Sequence, residues 1–163
     1  MKKLSPAQLR EHKGISFVGV STCFFCYNNQ GRFVMVKRGE GARDERGTWE
    51  IPGGGLKWGS TLEENLTREL QEELGAKAKD VQLMGYRDVL RKFDQGMSHW
   101  LAMDFAVLVD TKSIKINDPE AISELGWFTL DDLPEPLHSQ HPAMFLKYNR
   151  MMKDILSSAQ KGS

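Results

Sequence analysis

Four leucines at four-residue spacing, Leu62, Leu66, Leu70 and Leu74, follow directly on a Pro52-Gly53-Gly54-Gly55 stretch. This pairing constrains the chain more than any other feature. The spacing returns each leucine to one helical face, so it predicts an amphipathic helix that must bury that stripe. Ser60 and Thr61 each open an S/T-x-x-E pattern, with Glu63 and Glu64 respectively, so either can cap the helix start. Gly75 follows the last leucine, where a left-handed C-terminal cap is expected.

The remaining segments supply the surface on which such a helix packs. Ile15–Tyr27 is rich in β-branched and aromatic residues and ends in the turn cluster Asn28-Asn29-Gln30-Gly31. With Arg32–Arg38, apolar on both faces, it reads as a hairpin. A polar loop, Gly39–Gly47, leads to the short segment Thr48–Ile51 and the glycine-rich loop. Val81–Leu90, His99–Val109 and Glu124–Phe128 read as strands, the first two joined through Asp94-Gln95-Gly96. Pro142–Ser157 carries Met144, Phe145, Tyr148, Met151, Met152 and Ile155 as a second amphipathic helix, set at 142–159. Interleaved strands and helices with hairpins among them predict an α/β fold built on a mixed sheet sandwiched by helices. Repeats and linkers are lacking, so residues 1–163 are expected to form a single domain with a polar N-terminal arm over 1–14.

Twenty-two Lys and Arg against 22 Asp and Glu leave the chain formally neutral. That disfavours a nucleic-acid partner, because long polyanions usually meet basic surface. Any polyanion must be met by a local arrangement of charge. The N-terminus mixes charges where a signal peptide needs an apolar core, and Ile15–Tyr27 is too short to span a bilayer. A cytoplasmic location with no membrane partner is the expectation. Two cysteines, Cys23 and Cys26, are too few for a disulfide scaffold. In a strand, residues three apart point to opposite faces, so these thiols cannot converge on zinc and are expected to pack as small apolar residues.

On the helix, Glu69, Glu72 and Glu73 stand at i, i+3 and i+4, neighbours on one face and roughly 90° away from the leucine stripe. Each like-charge pair at about 4 Å costs about 4 kcal/mol at an effective dielectric near 20. Either water screens them, as on many solvated glutamate-rich faces, or a divalent cation gathers them. All-oxygen donors favour Mg²⁺ or Mn²⁺ over zinc. The glycine-rich approach lets backbone come close to a ligand.

Gly54, position 60 and Arg68-Glu69-Leu70-Gln71-Glu72-Glu73-Leu74-Gly75 resemble the Nudix box, G-x5-E-x7-R-E-U-x-E-E-x-G-U, where U is a bulky aliphatic residue. Trp49-Glu50-Ile51-Pro52-Gly53-Gly54 before the box, and Leu125-Gly126-Trp127-Phe128 and Asp131-Asp132-Leu133-Pro134 after it, are also similar to that family. The chain departs from the box at Ser60, where the box has its first glutamate, and at Ala76. Ser60 puts the positioning of Arg68 in doubt, with Glu63 or Glu64 as substitute acids.

The resemblance implies a Nudix-type α/β/α sandwich and Mg²⁺-dependent hydrolysis of a nucleoside diphosphate linked to another group, most simply a nucleoside triphosphate or nucleotide sugar. It implies Gly53 (through its carbonyl), Glu69, Glu72, Glu73 and Glu120 as metal ligands, and Arg68 as the residue that orients the glutamates. Glu72 or Glu69 would be the local base for the attacking water, with Glu120 a distal candidate. Arg38 could reach phosphate oxygens. Arg87, Arg91 and Lys92 could line the same cleft, although a solvated strand edge is the plainer reading. His138 lies in a segment similar to the histidine-bearing loop of GDP-mannose hydrolases, which makes a nucleotide-sugar hydrolase using His138 one alternative. A non-catalytic nucleotide-binding regulator is another. His99, Trp127 and Phe128 read as structural. The sequence is compatible with a homodimer and does not fix the oligomeric state.

Overall fold

A computed structural model describes residues 4–93 and 96–162. The apolar segments form β1 (Gly19–Tyr27), β2 (Phe33–Arg38), β3 (Trp49–Glu50), β4 (Gly53–Gly55), β5 (Ala78–Phe93), β6 (Gly96–Val109) and β7 (Ile122–Phe128). Three helices complete the described residues: α1 (Pro6–His12), α2 (Leu62–Leu74) and α3 (His141–Lys161). The strands make one mixed sheet in the order β3-β2-β1-β6-β5, with β4 also on β1 and β7 on β2. Helices α2 and α3 cover its two faces, so the expected α/β/α sandwich is present. The Asp94-Gln95 turn lies outside the described residues, and Gly96 opens β6.

One strand expectation holds in a shortened form and one is corrected. The β1–β2 hairpin is antiparallel, but its register joins only Tyr27 to Phe33. Along its whole length β1 instead pairs in parallel with β6, from Gly19↔Trp100 to Tyr27↔Leu108. The glycine-rich stretch is a strand rather than a loop, since Gly53, Gly54 and Gly55 pair with Cys23, Thr22 and Ser21. The sheet therefore splits beside β1, with β2 on one side of the split and β4 in the other branch. The split brings the glycines beneath α2.

Alternation along the strands sorts two cores. Phe24, Cys26, Val34, Val36 and Val107 meet Leu66, Leu70 and Leu74 of α2. Phe25, Phe33, Met35, Met84 and Ala106 meet Met144, Phe145 and Met152 of α3. Each buried leucine of the α2 stripe contributes about 1.5–3 kcal/mol. Cys26 lies inside the α2 core, while Cys23 is half-buried on the other face, and both thiols are free. Trp127 and Phe128 pack against the α2 and α3 cores respectively. Among the described residues no helix is long and apolar enough to cross a membrane.

Candidate active site

The acidic helix is fixed at both ends by its own sequence. Thr61, not Ser60, is the N-cap: its hydroxyl accepts from the Glu64 N–H while the Glu64 carboxylate accepts from the Thr61 N–H. Gly75 closes the helix at φ 62°, which only a residue without Cβ adopts freely. With Leu66, Leu70 and Leu74 buried, Glu69 lies against Gly54 and Glu73 against Gly53 of β4, while Glu72 stays exposed.

Arg68 ties the acids together. Its Nη1 lies 2.7 Å from Glu69 Oε1 and 2.9 Å from Glu72 Oε2, and its Nη2 donates to Asn65 Oδ1. Asn65 thus takes the place expected of Glu63 or Glu64, which corrects that expectation. Glu64 is spent on the cap and Glu63 is exposed. The Asn65 side chain is buried; its Nδ2 donates to Thr22 Oγ1 at 2.9 Å, and its Oδ1 also accepts the Lys57 N–H at 3.2 Å. A neutral amide anchored in the core and in the box loop holds the arginine where Ser60 supplies no charge.

The three acids differ in setting. Glu72 is half-exposed, Glu69 is largely covered, and Glu73 points inward. A Cβ at Gly54 would lie 2.2 Å from the Glu69 carboxyl, so any larger residue there would push that carboxyl out of its present position. Burial pushes the Glu73 carboxyl well above the usual range, and the charges of Glu50, Glu69 and Asp118 push it further, against one hydrogen bond from the Gly53 backbone. Its Oε2 is buried without a hydrogen-bond partner. A buried carboxylate oxygen with acids around it and no donor is the setting a hard cation relieves. Among the described residues, however, no three such side chains converge as a finished cage.

Two acids of this neighbourhood escaped sequence reasoning. Glu50 arrives from β3 and Asp118 from the segment before β7, whose Asn117 N–H donates to the Glu73 carbonyl at 2.9 Å. Glu50 stands between apolar Trp49 and Ile51 at the end of the two-residue β3, an alternation that could have signalled it. Glu120 is exposed, and its carbonyl accepts the Gly41 N–H at 2.9 Å.

Arg38 and His138 lie in a second cluster. Arg38 Nη1 contacts both Glu50 oxygens, at 2.7 and 2.8 Å, and its Nη2 reaches Asp44 at 2.9 Å. Arg91 pairs with Asp44 at 2.7 Å and with Glu45. His138 is buried with its Nε2 3.5 Å from Glu45; burial, with Arg38 and Arg91 nearby, outweighs that carboxylate and lowers its pKa to about 4. Beside this cluster opens a cleft of about 800 Å³ between the Arg87–Lys92 part of β5 and the start of α3.

Arg87 corrects the solvated-edge reading. It is buried and forms a two-pronged pair with fully buried Asp104, at 2.7 and 2.8 Å. Burial disfavours its charge, but Asp104 more than compensates and raises its pKa. His99 pairs with Asp88 at 3.1 Å across the β5–β6 ribbon.

Residues 18–148 match the NUDIX domain family, and the chain belongs to it. It is 30% identical over 141 residues to the 8-oxo-dGDP phosphatase NUDT18 of Mus musculus, an alignment covering 85% of this chain and 39% of that protein. To the nucleoside triphosphatase NudI of an Enterobacter species it is 28% identical over 112 residues, covering 64% and 78% of the two chains. The crystal structure of a MutT NUDIX hydrolase from Burkholderia pseudomallei superposes with a TM-score of 0.69 at 29% identity, covering 78% of this chain and 95% of that one. The chain thus spans about two fifths of the mammalian relative and most of the bacterial ones.

Proposed function

We propose that this chain is a Mg²⁺-dependent pyrophosphohydrolase that cleaves the phosphoanhydride of a nucleoside di- or triphosphate, with Mn²⁺ able to substitute. The observation that carries this reading is the buried, unpartnered Glu73 oxygen beside Glu50, Glu69 and the glycines of β4. Relatives named for 8-oxo-dGDP and for nucleoside triphosphates favour such substrates over a nucleotide sugar. A bound divalent cation would neutralise phosphate charge and lower the pKa of water.

Each residue has a distinct part. Glu69, Glu73 and the Gly53 carbonyl would hold the cation, with Glu120 as a further ligand from the opposite loop. Glu72 is the solvent-reaching acid, tethered by Arg68, and is suited to take the proton of the attacking water; a carboxylate outside the cation's grip remains a better base. Arg68, anchored on Asn65, keeps Glu69 and Glu72 from springing apart. His138 sits buried behind Glu45 as a neutral imidazole, so the favoured reading gives it a place in the cleft wall rather than a role as base.

A hydrolysis panel tests this: nucleoside triphosphates, 8-oxo-dGDP, nucleotide sugars and triphosphorylated RNA, each with Mg²⁺ or Mn²⁺. Release of nucleoside monophosphate that disappears in Glu73→Gln supports it. Folded protein with no turnover of any of them refutes it, and nucleotide binding that survives in Glu73→Gln without turnover in either protein would favour a regulator.

A further inference from the structure

The segment 39–47 joins two strands that are neighbours in the sheet, β2 and β3, and a short turn would suffice. It instead reaches across β1. Arg43 lies over the Trp100 ring of β6 at 5.3 Å, Asp44 and Glu45 bind Arg91 of β5, and Glu45 accepts the Ser139 N–H and hydroxyl at the start of α3, both at 2.7 Å. The segment is a strap over the cleft, beginning at Gly39 and ending at Gly47, whose φ of 77° is the left-handed conformation that glycine adopts freely. Glu45 is the one non-glycine residue among those described with positive φ, at 44°. A strained backbone therefore carries the carboxylate that contacts Arg91, Ser139 and His138, and such strain persists only where surrounding contacts enforce it.

The charge pattern says what the strap does. Arg38, Arg43 and Arg91 are met by Asp44, Glu45 and Glu50, so the knot is neutral while the strap is down. Lifting Asp44 and Glu45 takes two carboxylates off Arg38 and Arg91, so the cleft wall gains positive charge. Burial opposes ionisation of Asp44, but the Arg91 hydrogen bond and nearby guanidinium charges hold its carboxyl below the usual range, so it is a strong occupant of those arginines.

We propose that Arg91 is a substrate-binding residue that receives the phosphates of the nucleotide, and that Asp44 and Glu45 occupy it as internal competitors until the nucleotide displaces them. This rests on the nucleotide hydrolysis proposed above. The strap thereby subtracts from affinity for every anion that binds at Arg91.

The test uses the full chain and two probes, inorganic pyrophosphate and dGMP, in metal-free buffer. Glu45→Gln should lower the dissociation constants of both about tenfold, as for a site open roughly a tenth of the time in the parent. Adding Arg91→Met should erase the gain. Asp44→Asn serves if Glu45→Gln does not fold. Unchanged or weaker binding in the neutralised variant overturns the proposal. In the parent protein, pyrophosphate should accelerate tryptic cleavage after Arg43 and Arg46, followed by mass spectrometry; protection of those bonds overturns it as well. Faster cleavage with pyrophosphate but no turnover of any nucleotide would refute the enzymatic reading and leave the masking of Arg91 standing.

Discussion

Two acidic clusters flank the split in the sheet, and they are neutralised to different degrees. On α2, Arg68 serves Glu69 and Glu72 and leaves Glu73 with a bare oxygen. In the strap knot, Arg38, Arg43 and Arg91 balance Asp44, Glu45 and Glu50. The first set is short of positive charge, and in the function proposed above a divalent cation makes up the deficit. In the second, each of those three carboxylates already has an arginine partner. Glu50 belongs to both, since it grips Arg38 and adds its charge at Glu73. Charge brought to one cluster is therefore felt by the other.

The sharpest way to break this contrast is Glu73→Gln. It should lower hydrolysis by about two to three orders of magnitude, as when a main electrostatic contact to the transition state is removed. Circular dichroism should show the fold intact. Gly54→Ala should cost about a hundredfold in kcat/KM, because its Cβ would displace the Glu69 carboxyl from 2.2 Å and small misplacements of catalytic groups are expensive. Gly47→Ala in the strap meets no neighbouring atom but must hold φ at 77°, so it should strain the strap backbone and leave the Glu69 geometry alone, which a nucleotide-free crystal structure checks.

Acid titration addresses the strap side. His141 packs edge-on against His138, its Nε2 accepts the Ile51 N–H at 2.8 Å, and burial lowers its pKa to about 3. Its folded pKa lies below the unfolded value near 6.5, so the unfolded chain takes up the proton first. Its contribution to stability is full above pH about 6.5 and is lost as pH falls toward 3, amounting to about 2 kcal/mol by pH 5. His138, with its pKa lowered to about 4, loses its stabilising contribution over the same window. Urea denaturation at pH 7 and pH 5 should therefore show the sum, and His141→Gln, which keeps an acceptor for Ile51, should remove the His141 share and leave that of His138. The smallest effect concerns the helix start: Thr61→Ala should destabilise by about 1 kcal/mol, while Ser60→Ala should fall well below that.

Much of the α2 side was legible in sequence because it is local. Leucine spacing set the buried face, the acids at i, i+3 and i+4 shared an edge, and Gly75 marked the end. The anchor on Arg68 was hidden, since Asn65 becomes a core residue only when Thr22 of β1 and Lys57 of the box loop close around it. Arg87 was hidden too. Its partner Asp104 belongs to the facing strand, and the register that joins them shifts at a bulge between Leu83 and Gly85.

The order of residues by itself determined the amphipathic helices, the cap and stop of α2, the mixed-sheet class and the grouping of Glu69, Glu72 and Glu73, because periodicity and capping act within a few residues. Only the tertiary structure decided that β1 runs parallel to β6, that Glu50 and Asp118 face Glu73, and that the strap reaches Arg91. Those outcomes depend on which distant surfaces meet once the apolar faces are buried, and on ion pairs that form only where burial removes the competing water.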